Sequence, residues 1–211
     1  MYAKLERLGI GLVLGPVAPI VGFLGMWWVA YSLLPEKWIY LGAISGLLFG
    51  VLVDFIFLKR RINMAHQLDI KLWGAIYLFY SICIFGFFMG VPVFNLGLTL
   101  PAGFIIGARL ASQNAIPTRV KTVARQTALF TTIVMFGICL ASGLIASTDP
   151  YTAANLEGML GLHFQLTQIM IIGIILVGGL ILLILQWCLV NITIQKTFSF
   201  MEVPGTATIA G

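Results

Sequence analysis

The placement of its charges constrains this chain more than any other feature. The 12 basic and 7 acidic residues fall almost entirely in short gaps between six long apolar runs, and residues 169–185 carry no charged side chain at all. With 60% hydrophobic residues and a mean hydropathy of +1.05, a water-soluble domain of this length could not keep its apolar surface out of water. Each run is long enough to cross a hydrocarbon slab of roughly 30 Å at about 1.5 Å per helical residue. The predicted spans are 8–33, 38–58, 72–93, 97–112, 126–147 and 167–190. The fourth is the shortest and carries Pro101 near its start. Continuous runs, rather than alternating ones, point to helices that satisfy their own backbone in lipid and away from a barrel. The fold class expected is therefore an all-α polytopic integral membrane protein, a six-helix bundle forming one domain over residues 1–196, with a cytoplasmic tail over 197–211.

Charge asymmetry sets the expected topology. With the N-terminus inside, Lys4, Arg7, Lys59, Arg60, Arg61, Lys71, Arg109, Arg119, Lys121, Arg125 and Lys196 all collect on the inner side, and Lys37 alone lies outside. The positive-inside rule then predicts an N-in, C-in arrangement. Trp27, Trp28 and Trp38 fall toward the outer boundary, and Trp73 and Trp187 toward the inner one, as an interfacial belt requires. The net charge of +5 is read as orientation and contact with anionic lipid, not as nucleic-acid binding. A multi-pass protein of a prokaryotic cytoplasmic membrane is the expected setting, with the bilayer as its first partner.

The first span is too long for a signal-peptide core and is read as retained. Cys83, Cys139 and Cys188 lie within apolar runs, where a thiol acts as a small hydrophobe. His66 and His163 are assigned to opposite faces, so no metal site and no cofactor are expected. Short connections at 34–37 make spans one and two antiparallel neighbours. Residues 59–71 have helix-like apolar spacing suited to a helix lying on the inner leaflet. Residues 112–125 read as an inner loop, 148–166 as the one sizeable outer loop, and the tail from Thr197 as loosely ordered.

Three constellations stand out within the spans. Gly42, Gly46, Gly50 and Asp54 recur every fourth residue and so share one stripe of a helix, a packing device where lipid removes the hydrophobic drive. An intramolecular contact is the preferred reading of that stripe, a partner protein the alternative. Asp54 and Arg109 lie at similar depth in spans two and four, and Gly103 and Gly107 would let those helices approach. A structural salt bridge is the leading reading, with an ion relay or an anion-binding arginine as the functional one, and separate snorkelling to the interface as the plain one. In the segment 89–109, Pro92 and Pro101 bracket Asn95 and Thr99 amid several glycines. Broken helices with polar side chains are a common way to build a solute site in a membrane, although an ordinary outer turn would carry the same residues.

Catalytic patterns are absent: Ser142 lacks the preceding glycine of a nucleophile elbow, and no zinc-protease or phosphate-loop motif occurs. Glu157 and His163 lie close in sequence, but a satisfied interfacial histidine is the simpler reading. Six spans, two inner termini and about 200 residues resemble the substrate-binding S components of energy-coupling-factor vitamin transporters. The phrase GVPVF at 90–94 is similar to a segment of the biotin-specific members. Here Asn95 and Leu96 replace the glycines expected next, and no binding residue is carried across. Three functions follow in order: a transport-type component that binds or passes an unidentified small solute; a non-catalytic subunit docking to a membrane protein partner, or to further copies of itself, through small-residue faces; and a lipid-modifying enzyme. The topology is open to a direct check. A fluorescent protein fused at the C-terminus should light up in the cytoplasm, and an impermeant maleimide should label Lys37→Cys, but not Lys121→Cys, from outside.

Overall fold

The computed structural model describes residues 2–65, 68–161 and 165–201. Among these residues every regular element is a helix: α1 (Tyr2–Leu14), α2 (Val17–Leu33), α3 (Ile39–Asn63), α4 (Ile70–Phe87), α5 (Thr99–Ser112), α6 (Pro117–Thr148), α7 (Thr152–Leu160) and α8 (Gln168–Met201), with short 3₁₀ turns before α3 and α5. Six helical stretches are long and apolar enough to cross a membrane: Arg7–Leu33, Glu36–Asn63, Ile70–Phe87, Pro92–Ser112, Pro117–Thr148 and Gln168–Met201. By length and composition these six stretches suit a multi-pass membrane protein.

Four boundaries differ from the sequence reading, each for a local reason. The fourth stretch begins at Pro92, not 97, because a 3₁₀ helix over Pro92–Leu98 leads directly into α5. Helix α6 begins at Pro117, not 126. Proline at the first helical position lacks only an N–H that would be unpaired there, and it holds the preceding Ile116 extended (φ −67°, ψ 150°). Arg119, Lys121 and Arg125 thus stand on a helix and not in a loop. Helix α3 continues through Asn63, so the basic start of the segment read as a leaflet helix belongs to the end of a span; residues 66 and 67, with His66, lie outside the described residues. Helix α8 runs on to Met201, well past 190 and into the segment read as tail; residues 202–211 lie outside the described residues. The segment read as the outer loop holds the short α7, closed by Gly161 at φ +62°. His163 also lies outside the described residues.

The chain divides into two compact units, Met1–Ile76 and Tyr77–Gly211. In the first, α1 and α2 are separated at Gly15-Pro16, where proline has no N–H to continue the helix. Helices α2 and α3 pack antiparallel through glycine. A Cβ on Gly42 would come within 2.5 Å of Ala30 Cβ, one on Gly46 within 2.6 Å of Met26 Cβ and hard against the Gly22 carbonyl, and one on Gly50 within 2.5 Å of Pro19 Cα. The matching stripe on α2, Ala18, Gly22, Met26 and Ala30, has the same four-residue spacing and escaped the sequence reading.

The second unit is organised on α8. Gln186, Val190, Ile194 and Phe198 recur every fourth residue on one buried face. Helix α5 lies parallel to it, with Gly103 against Thr193 (2.6 Å from a built Cβ) and Gly107 against Thr197 (2.7 Å). Helix α6 runs antiparallel, with Gly143 facing Ile175 and Cys139 facing Gly179, and Ala124 and Ala128 in a core shared with Val190 and Ile194.

Gly46→Leu should therefore drive a side chain into backbone that cannot move aside, costing more than the roughly 1–3 kcal/mol of ordinary overpacking. Its thermal midpoint in detergent, read by fluorescence-detected gel filtration, should fall sharply or the protein should be lost. Gly25→Ala, where a Cβ meets nothing within 4 Å, should behave like wild type.

Candidate functional site

The site grows out of the reversal between α4 and α5. Helix α4 ends in a left-handed turn, Met89 at φ +52° and Gly90 at φ +81°, with the Gly90 N–H donating back to the Phe85 carbonyl at 2.8 Å. This six-to-one bond is the usual glycine stop of a helix. The Phe88 and Phe94 rings stack across the turn, 4.0 Å between centroids. The chain then descends as the 3₁₀ helix Pro92–Leu98 before α5 begins. Seven residues at about 2 Å each carry it roughly 14 Å back along the span. Asn95, which the plain reading left on an outer turn, is 2% exposed, and Thr99 is fully buried.

Four elements place polar side chains around that descent. Gln186 is the hub: its Oε1 accepts from Thr99 Oγ1 at 3.0 Å, and its Nε2 donates to the Tyr77 hydroxyl at 3.0 Å. One helical turn beyond Tyr77, Ser81 offers its backbone carbonyl to Asn95 Nδ2 at 3.2 Å. A carbonyl can only accept, so that bond orients the Asn95 amide and leaves Oδ1 as its other end. Ser81 Oγ stands beside the Tyr77 hydroxyl without hydrogen-bond geometry. Among the described residues, Asp54 Oδ1, Trp73 Nε1, Ser81 Oγ, Asn95 Oδ1 and Thr132 Oγ1 are buried with no hydrogen-bond partner. Thr132 is level with Gln186 in the antiparallel register of α6 on α8 that Cys139 and Gly143 set. Gln186 follows Gln168 by 18 residues and precedes Lys196 by ten, about 27 Å and 15 Å along the helix. The polar cluster therefore sits far from both helix ends.

Of the solute-site residues expected from sequence, Asn95 and Thr99 enter this cluster. Pro92 and Pro101 are half-buried and shape the backbone: Pro92 opens the 3₁₀ helix, and Pro101 occupies the first turn of α5, where its missing N–H costs nothing. The cluster's other members, Tyr77, Ser81 and Gln186, were not anticipated. Two signals were available: Gln186 is the polar residue that ends the apolar run 169–185, and Tyr77 and Ser81 are four apart in a mostly apolar helix.

The expected charge pair has a different local setting. Asp54 is buried on α3, 7% exposed, and its ion-pair partner is Arg61, two turns on, with Nη1 3.8 Å from Oδ1. Arg61 is 44% exposed, so screening leaves this pair modest. Arg109 is half-buried on α5, where its carbonyl accepts from Ser112 Oγ at 2.8 Å. Asp54 belongs to the first unit and Arg109 to the second, and their pairing stays an expectation. The five packing glycines, Gly42, Gly46, Gly50, Gly103 and Gly107, are all covered within their own units. No family model, curated protein or solved structure matches the chain, and the likeness of residues 90–94 to vitamin-transporter S components remains one short phrase.

A double-mutant cycle tests the hub. Thr99→Val and Gln186→Leu should each lower thermal stability, and the double variant should lose less than their sum. The coupling expected is about 0.6 kcal/mol and at most roughly 1.7, the range for side-chain hydrogen bonds between membrane helices. Strict additivity would mean that the 3.0 Å bond contributes nothing.

Proposed function

We propose that the protein is a small transport-type membrane component, N-in and C-in in a prokaryotic cytoplasmic membrane, that binds and passes a solute at the Asn95–Gln186 cluster. One observation carries the reading: Asn95, whose buried Oδ1 has no hydrogen-bond partner among the described residues, lies in the 3₁₀ stretch that leads into α5 and is bonded to Ser81 of the preceding helix. Polar groups are expensive to bury in a bilayer unless something hydrogen-bonds them. Helices joined only for stability would be expected to satisfy such groups or replace them by alanine and valine. Broken helices are also the usual place for a solute to meet a membrane fold. The docking-subunit reading ranks second because the five glycines on which it rested are already covered within their units. An enzyme ranks third, since the sequence carries no zinc-protease, phosphate-loop or nucleophile-elbow motif to support it.

Native mass spectrometry of the gently solubilised full chain tests this. A small molecule should remain bound to wild type and be lost from Asn95→Leu, with gel filtration confirming that the variant is folded. A stoichiometric protein partner with no retained small molecule would replace the solute reading by the docking one.

A further inference from the structure

The reversal between α4 and α5 offers water little to bind. Residues 82–94 carry no charged, amide or hydroxyl side chain, whereas the other connections between spans hold Glu36 and Lys37, Asp69, Gln113 and Asn114, or Asp149 and Glu157. Around the tip, Phe87, Phe88, Met89, Val91, Val93 and Phe94 are all exposed. The backbone amides there are met from within. Phe88, Met89, Gly90 and Val91 donate to the carbonyls of Ile84, Gly86, Phe85 and Phe88 at 2.8–3.3 Å, and Pro92 has no N–H to offer. Unpaired amides are what keep irregular backbone out of hydrocarbon.

Two lengths fix the depth of the tip. Helix α4 has 18 residues, about 27 Å at 1.5 Å each, so from its start beside Lys71 it ends within a hydrocarbon slab of roughly 30 Å. On α6, Ile145 lies 20 residues beyond Arg125, again about 30 Å. A Cβ built on Gly90 would stand 3.7 Å from Ile145 Cδ1. The next charge on that side, Asp149, comes a further turn on. Both lengths put the reversal on the hydrocarbon side of the interface. Met89 adds a separate sign. It holds φ +52°, a left-handed conformation that glycine or asparagine adopts at less cost, and it is 93% exposed. Its side chain gains almost nothing from the protein, so what offsets the strain lies outside the chain.

We infer that residues 87–94 form a lipid-contact surface: the reversal stays among the acyl chains just beneath the headgroups, with Met89 at its tip, and does not emerge into water. Acyl chains ask for no hydrogen bond and conform to a rounded apolar tip. A protein interface would be expected to carry a polar rim, and residues 82–94 supply none.

A nitroxide on Met89→Cys tests this in the full chain, with Cys83, Cys139 and Cys188 replaced by alanine. Phospholipid nanodiscs leave both membrane faces open to reagents. Collisions with oxygen report lipid, and collisions with a water-soluble nickel chelate report water. The oxygen-to-nickel ratio at position 89 should match that of Ile82→Cys, exposed two turns earlier on α4, and exceed that of Lys37→Cys several-fold. A ratio as low as that at Lys37 would place the tip in water and overturn the proposal. Few collisions with either reagent would overturn it in favour of a protein, a second copy or a partner, covering the tip. Two substitutions give a second readout. Met89→Gly and Met89→Asn both relax the left-handed backbone, but only asparagine brings an amide that acyl chains cannot hydrogen-bond. Met89→Asn should therefore melt several degrees below Met89→Gly in nanodiscs. An asparagine variant as stable as the glycine one would mean that water reaches the tip, and would overturn the lipid assignment.

Discussion

Helices in hydrocarbon gain nothing by hiding leucines from their surroundings, because lipid is as apolar as they are; what they can gain is closeness. The first unit depends on this. Gly46 meets the Gly22 carbonyl of the antiparallel helix so tightly that a methyl group has no room, and Gly42 and Gly50 repeat the contact one turn to either side. Such approach adds dispersion contacts along two backbones where side chains would hold them apart. The second unit solves the same problem with Gly103 and Gly107 on α5, Ala124 and Ala128 on α6, and the stripe 186–190–194–198 on α8.

Close packing of this kind makes a buried polar group consequential. Gln186 occupies the first position of the α8 stripe whose next three members are Val190, Ile194 and Phe198. It therefore points into the core, and every hydrogen-bonding atom it carries must be met by a neighbouring helix. Thr99 and Tyr77 meet two of them. Thr99 is available only because the chain comes back down from Gly90 as a 3₁₀ helix and starts α5 at depth. The reversal, the break and the polar hub are thus one arrangement: without the left-handed stop at Met89–Gly90, Asn95 and Thr99 would remain near the end of α4.

Much of this was legible in the chain. Six apolar runs predict six membrane-length helical stretches, and the four-residue glycine spacing points to close helix contacts. Proline and polar residues over 92–101 mark the segment from which Asn95 and Thr99 enter the buried cluster. The reading went astray where helices outlast their apolar runs. Helix α6 extends back over Arg119, Lys121 and Arg125, and α8 extends past Lys196, since hydropathy reports where lipid is tolerated while backbone hydrogen bonding continues until a residue stops it. Pro117 and Gly90 are such residues; a lysine is not. Tyr77, Ser81 and Gln186 were missed because each stands in a mostly apolar stretch of helix, and nothing local says whether such a residue faces lipid, a neighbour or a site.

The sequence alone determined the solvent, because no other medium accepts so continuous an apolar chain, and with it the helical class, since only internally bonded backbone survives there. It also determined where chain direction breaks, since proline and glycine act within a turn of themselves. Tertiary structure alone decided which stripe meets which: that Gly46 finds Gly22, and that residues as distant as Tyr77, Thr99 and Gln186 share one buried chain of hydrogen bonds. Those partnerships depend on the rotation and register of helices against one another, and in a bilayer that choice is made by the summed fit of many small contacts that no single segment encodes.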